Sequence, residues 1–224
     1  MEKSSFRKKH ECLYEGVTVG SYRELLENCA NRLGDQSAFC YKKDSKAKNP
    51  EFIQVTYIEH KKDVEAFSSK LLDFGLEGKR IALISPNRYI WPVSYMAITT
   101  ANMVAVPLDY LLPDAEIESL LIRSKAEAVI FDSKYLSLFK ELAKKETTEL
   151  KYFICMDSLE EKQADFYDYP TLLEQGKTLI KNKKSKYEQA KPDPDKMSVM
   201  LFTSGTTGNS KAVMLTQSRN LCKL

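Results

Sequence analysis

Apolar residues recur along this chain at two spacings, and each spacing predicts a kind of element. From Tyr22 the positions Leu25, Leu26, Cys29 and Leu33 follow at three- and four-residue steps, the repeat of one helix face, with Ser21 placed to cap the start and Gly34 just past the end. Short strands are expected at residues 38–41 and 52–55. Thr56 with Glu59 makes a capping-box pattern ahead of a second helix, in which Tyr57, Val64, Phe67, Leu71 and Leu72 share a face before Gly75 stops it. His60 is expected on the polar side of that helix. From Arg80 short apolar runs alternate with helical periodicity: strands at 81–84, 104–107, 128–131 and 152–156, with helices at 87–101, 114–124 and 135–145 between them. Asn87 is expected to cap the first of these helices, and Trp91, Tyr95 and Ile98 lie at the spacing of a core-facing stripe.

Strands of four to six apolar residues separated by helices of ten or more predict an α/β fold: βαβ units forming a mostly parallel sheet with helices on both faces and right-handed crossovers. Residues 1–180 are expected to form one α/β subdomain. Residues 181–196 hold several lysines, Pro192 and Pro194 and, apart from Tyr187, no large apolar residue, so they are expected to be a solvated linker. A basic patch for anionic lipid or phosphate is the functional alternative for that run. Residues 197–224 are expected to open the next subdomain, with strand-like stretches at 199–202 and 212–215.

Composition narrows the function classes without choosing among them. A chain of 224 residues that is 43% apolar can bury a sizeable core. Its 34 basic and 31 acidic residues are interspersed and leave a net charge of only +3, which gives no electrostatic case for a nucleic-acid partner. Five cysteines, widely spaced and without a Cys-x-x-Cys pair, point away from a zinc site or redox dithiol and toward the cytoplasm. The basic N-terminus has no apolar stretch behind it, as a secretory signal would require, and no run approaches the ~18–20 apolar residues of a membrane span. Peripheral membrane contact stays open. His10 and His60 are the only histidines, and neither belongs to a believable Ser-His-Asp set.

The segment between the last two predicted strands carries the candidate chemistry. From Thr203 to Lys211 the residues are small, hydroxylic, amide or cationic, with no acid among them. Gly205 and Gly208 allow backbone N–H groups to approach phosphate oxygens; Thr203, Ser204, Thr206 and Thr207 add hydroxyl donors, and Lys211 adds a positive charge. Hydrogen bonds to a charged acceptor contribute about 1.5–3 kcal/mol each, so a few of them hold a triphosphate tail without a deep pocket. A Walker A loop is excluded, because Lys211 does not directly follow a glycine and a strand rather than a helix is expected next. The dinucleotide fingerprint is absent as well. A polar turn without a ligand, the plainer alternative, gives no reason for an ordered hydroxyl-glycine pattern ending in lysine.

Phe202 to Gly208, Lys211, Val213 to Leu215 and Thr216 resemble the phosphate-loop signature of the adenylate-forming family, which includes acyl-CoA synthetases, luciferases and peptide-synthetase adenylation domains. The stretch from Ile81 to Asp109, with Asn87, Arg88, Tyr89 and Trp91, resembles the long-chain acyl-CoA synthetase branch, as does Glu116 to Lys134. Three positions depart from the signature: Ser210 stands for proline, Ala212 for glycine and Gln217 for histidine. Losing the proline costs about 0.4–1 kcal/mol of loop pre-ordering. Ala212 is strained if its backbone needs positive φ.

The resemblance implies the N-terminal portion of the adenylate-forming fold and an ATP-dependent ligase. In that chemistry a fatty carboxylate attacks the α-phosphate of Mg-ATP to give acyl-AMP and pyrophosphate, and the thiol of coenzyme A then displaces AMP. Thr203, Ser204, Gly205, Thr206, Thr207, Gly208 and Lys211 would cradle the phosphates, Lys211 as the cation and Thr203 on the Mg²⁺ side; no proton-transfer catalyst is expected in this chain. The segments that the family places later are not in it, which implies a fragment inactive by itself. A non-catalytic nucleotide-binding module and a fatty acyl-AMP ligase are the alternatives.

Overall fold

The computed structural model describes residues 18–43, 48–161, 163–203 and 210–221. Helix α1 (Tyr22–Leu33) leads into a two-stranded antiparallel ribbon, β1 (Ser37–Lys42) with β2 (Phe52–Thr56), and then helix α2 (Tyr57–Asp73). Both caps form as expected. Ser21 Oγ accepts the Glu24 N–H at 3.1 Å, and Thr56 Oγ1 accepts that of Glu59 while the Glu59 carboxylate accepts the Thr56 N–H at 2.8 Å. Gly75, with φ of +77°, turns the chain just after α2, where a Cβ would be strained.

Among the described residues the main sheet has seven strands: β3 (Arg80–Ile84), β4 (Val104–Pro107), β5 (Ala128–Phe131), β6 (Tyr152–Cys155), β7 (Phe166–Asp168), β8 (Met197–Thr203) and β9 (Lys211–Thr216). They lie in the order β7-β6-β5-β3-β4-β8-β9, parallel throughout except that β9 runs antiparallel to β8. Between them run α3 (Ile90–Thr99), α4 (Asp114–Ser124), a 3₁₀ turn at Ser133–Tyr135 continued by α5 (Leu136–Lys145), and α6 (Tyr169–Lys181); a short α7 (Gln217–Leu221) follows β9.

Alternation along each strand sorts the core into two layers. Ile81, Leu83, Ala105, Ile130 and Ile154 pack on one face with Phe67 and Leu71 of α2, Ile98 of α3 and Leu172 of α6. Ala82, Ile84, Val106, Val129 and Phe131 pack on the other with Ile117 and Leu121 of α4 and Phe139 of α5. The sheet is thus covered on both faces, as the continuous apolar strands require.

Four expectations need correction. Strand β7 and helix α6 form where no element was assigned; Asp168 Oδ1 accepts the Thr171 N–H at 2.9 Å and Pro170 sits in the first turn. Helix α3 begins at Ile90, so Asn87 lies before it and caps nothing. His60 is buried, not on a polar face: its ring lies 4.8 Å from that of Phe39 and 5.8 Å from that of Tyr89. Lastly, the stretch 181–196 is not wholly solvated. Its lysines are exposed, but Tyr187 and Ala190 belong to the core. Buried Arg23 holds them there, donating to the carbonyls of Thr100, Tyr187 and Ala190 at 2.7–3.1 Å with its guanidinium 3.9 Å from the Tyr187 ring centroid.

Candidate functional site

Strand β8 runs beside β4 and points the same way, so its end at Thr203 falls at the carboxyl edge of the parallel strands, where open α/β sheets bind ligands. Strand β9 returns antiparallel, and Thr203 and Lys211 are the last partners in register, with Phe202 and Ala212 the pair before them. Residues directly opposite in an antiparallel pair share a face, so the side chains of Thr203 and Lys211 leave the same face of the hairpin, both exposed. Of the predicted site residues these two are described. Ser204, Gly205, Thr206, Thr207 and Gly208 lie outside the described residues.

The structure resolves what two of the sequence departures do. Ala212 sits within β9, is absent from the described residues with positive φ, and so carries no left-handed strain. Gln217 is buried at 1% exposure: its Nε2 donates to the Thr99 carbonyl at 2.8 Å and its Oε1 accepts the Tyr22 N–H at 2.8 Å. It therefore ties the far end of β9 to the end of α3 and the start of α1, a packing role filled by a neutral amide.

A second polar constellation at the same edge went unnoticed in the sequence. Strands β3 and β5 are neighbours whose chains leave in opposite directions, toward β4 and β6, which places the switch point of the sheet between them. Arg88 reaches this crevice and grips two carboxylates, Asp132 at 2.9 Å and Asp157 at 2.6 and 3.0 Å. The guanidinium, aided by the Ser133 N–H, holds the Asp157 carboxyl down to about 2. Through its two Nη groups Arg88 ties together the segments that follow β3, β5 and β6. A sequence signal existed: Asp132 directly follows β5, Asp157 stands two residues after β6, and Arg88 follows β3.

Among the described residues no group of three His, Cys, Asp or Glu could hold a metal ion. Thr203 offers one exposed hydroxyl here, so a magnesium ion beside it would have to bring its other ligands with it, from phosphate and water. A groove of about 760 Å³ passes Lys70, Asp73, Thr171 and Glu174 between α2 and α6, and none of the described residues of the β8–β9 hairpin lines it. No helix among the described residues is long and apolar enough to cross a membrane.

Known proteins share both sequence and fold with this chain. The sequence profile of the AMP-binding enzyme family matches residues 26–224. Long-chain-fatty-acid–CoA ligase 6 of Homo sapiens is 33% identical over 140 residues, 61% of this chain and 20% of that protein. Fatty acyl-CoA synthetase B of Dictyostelium discoideum is 28% identical over 214 residues, 87% of this chain and 30% of that protein. This chain therefore spans less than a third of the length of either curated relative. Among solved structures, a long-chain-fatty-acid–CoA ligase from Archaeoglobus fulgidus superposes with a TM-score of 0.71 at 15% identity, covering 96% of this chain and 40% of that one. The anthranilate CoA ligase AuaEII, solved with anthranoyl-AMP, gives 0.72 at 17% identity over 88% of this chain and 35% of that one. At such identities the superpositions establish the fold.

Proposed function

Since this chain belongs to the AMP-binding enzyme family, we propose that it is the N-terminal part of an ATP-dependent long-chain fatty acid–CoA ligase, forming acyl-AMP with release of pyrophosphate and then acyl-CoA. The observation that carries the proposal is the pairing of Thr203 with Lys211 across the mouth of the Ser204–Gly208 segment, at the carboxyl edge of the sheet. Lys211 supplies charge to the β- and γ-phosphates, the backbone N–H groups of Gly205 and Gly208 and the hydroxyls of Ser204, Thr206 and Thr207 donate to their oxygens, and Thr203 faces the metal side. Magnesium, bound with ATP, would neutralise charge that builds on the departing pyrophosphate. ATP and magnesium enter together, and coenzyme A and the fatty acid are the remaining small-molecule partners. The site of action is the cytoplasm or the surface of a membrane facing it. Residues 197–224 would open the next subdomain of the longer enzyme.

Sequencing the coding DNA beyond Leu224 tests the premise directly: a frame that continues into the rest of a ligase supports it, and a genuine stop codon overturns it in favour of a nucleotide-binding module. In the longer enzyme Lys211→Ala is expected to slow fatty-acid-dependent pyrophosphate–ATP exchange about 100-fold, the scale of removing one positioned charge stabiliser. An unchanged rate would strip Lys211 of its role. Product analysis with and without coenzyme A separates the CoA ligase from a fatty acyl-AMP ligase, which stops at the adenylate.

A further inference from the structure

We propose that Arg123 is a positioning residue for the phosphate-binding hairpin, holding Thr203 and Lys211 in place from the hairpin's opposite face; the proposal rests on the phosphate-binding role assigned to that hairpin. Arg123 lies in the last turn of α4 and touches β8 and the residue that leads into β9. Its guanidinium carbon stands 5.3 Å from the centroid of the Phe202 ring, and Nη2 donates to the Ser210 carbonyl at 2.5 Å. One helix turn pair earlier, Glu116 Oε1 accepts the Ser210 hydroxyl at 3.5 Å. Phe202 immediately precedes Thr203, and Ser210 immediately precedes Lys211.

Pleating decides which way these contacts act. Successive side chains in a strand point to opposite faces, so Phe202, which packs with the α4 and α5 layer, and its partner Ala212 face α4, while Thr203 and Lys211 face away from it. Arg123 therefore fastens the two strands from behind, without offering its charge on the side where Thr203 and Lys211 stand. A planar guanidinium suits both tasks at once, stacking on a ring and donating in its own plane, which an ammonium does less well. The acceptor at 210 is a backbone carbonyl, so the hold does not depend on the side chain there. It fixes the same residue at which serine replaces the proline of the family signature, and it supplies from α4 the restraint that a proline ring would supply locally.

The test compares Arg123→Ala, Arg123→Lys and Lys211→Ala in the longer ligase by pyrophosphate–ATP exchange, with Tm measured alongside. Arg123→Ala is expected to raise KM for MgATP about tenfold while KM for the fatty acid is unmoved, and Arg123→Lys is expected to recover part of that loss. A merely structural arginine would lower Tm and the amount of active enzyme but leave KM for MgATP where it was; that result, with KM for MgATP raised in Lys211→Ala, overturns the positioning role alone. An unchanged KM and rate in Lys211→Ala as well would remove the phosphate-binding role of the hairpin, and with it the purpose assigned to Arg123.

Discussion

At His60 desolvation outweighs the ordinary readiness of an imidazole to take a proton near neutrality. Packed against Phe39 and Tyr89, with Nδ1 lacking a partner among the described residues, the ring is held neutral, and burial pushes its pKa from 6.5 down to about 4. Between those two values the unfolded chain binds a proton that the folded chain refuses. Stability therefore falls as pH drops from about 6.5 to about 4, by up to about 3 kcal/mol from this group. Nearby Asp63, whose carboxyl burial pushes up, works against that slope, and Asp157 loses its stabilising ion pair only at lower pH, between about 3.8 and 2. Urea unfolding of the wild type and His60→Phe at pH 7 and pH 4.5 isolates the contribution. The variant is expected to lose less stability between the two pH values; equal losses would show that His60 is not held neutral. Periodicity alone put this residue on a polar face, because the three-to-four-residue repeat of α2 does not reveal that β1 folds over that side. Arg23 was opaque for a related reason: its partners are backbone carbonyls, which carry no residue identity to read.

Among the elements, those with a clean repeat and their own terminators were legible from the sequence. The caps of α1 and α2, the apolar runs of β3, β4, β5 and β6, and the strands flanking the glycine-rich segment all form close to their predicted places. Helix α6 was not legible, because its apolar stripe is interrupted by Gly176, a residue that ordinarily weakens a helix by about 1 kcal/mol. Packing explains the glycine. A Cβ at 176 would stand 1.9 Å from the Ala66 carbonyl oxygen, so α2 and α6 meet at a distance that only a missing side chain permits. Gly176→Ala gains helix propensity but forces two backbones apart, and the clash wins: a net loss of about 2 kcal/mol is expected, seen as a Tm lower by about 4–8 °C. A Tm that stays level or rises would mean that the two helices part without cost.

For the molecule as a whole, Gln217 and the pairing of β4 with β8 bind the hairpin into the same body as the first five strands of the sheet, and Arg23 anchors the stretch that leads into β8. A folded body does not by itself make a catalyst. The chain covers less than a third of either curated relative described above, and the proposed ligase needs groups for adenine, ribose and coenzyme A that this chain is not proposed to supply. The purified 224-residue chain is accordingly expected to show no fatty-acid-dependent exchange of labelled pyrophosphate into ATP, and measurable exchange would refute that expectation. The seven-stranded row also stops abruptly. Among the described residues β9 is its outermost member, with Val213 and Met214 exposed and the outer ladder of N–H and C=O groups unpaired by any further strand. Such a rim is a template for the next strand that arrives, so when the chain is prepared alone its colloidal behaviour depends on how many other copies share the tube.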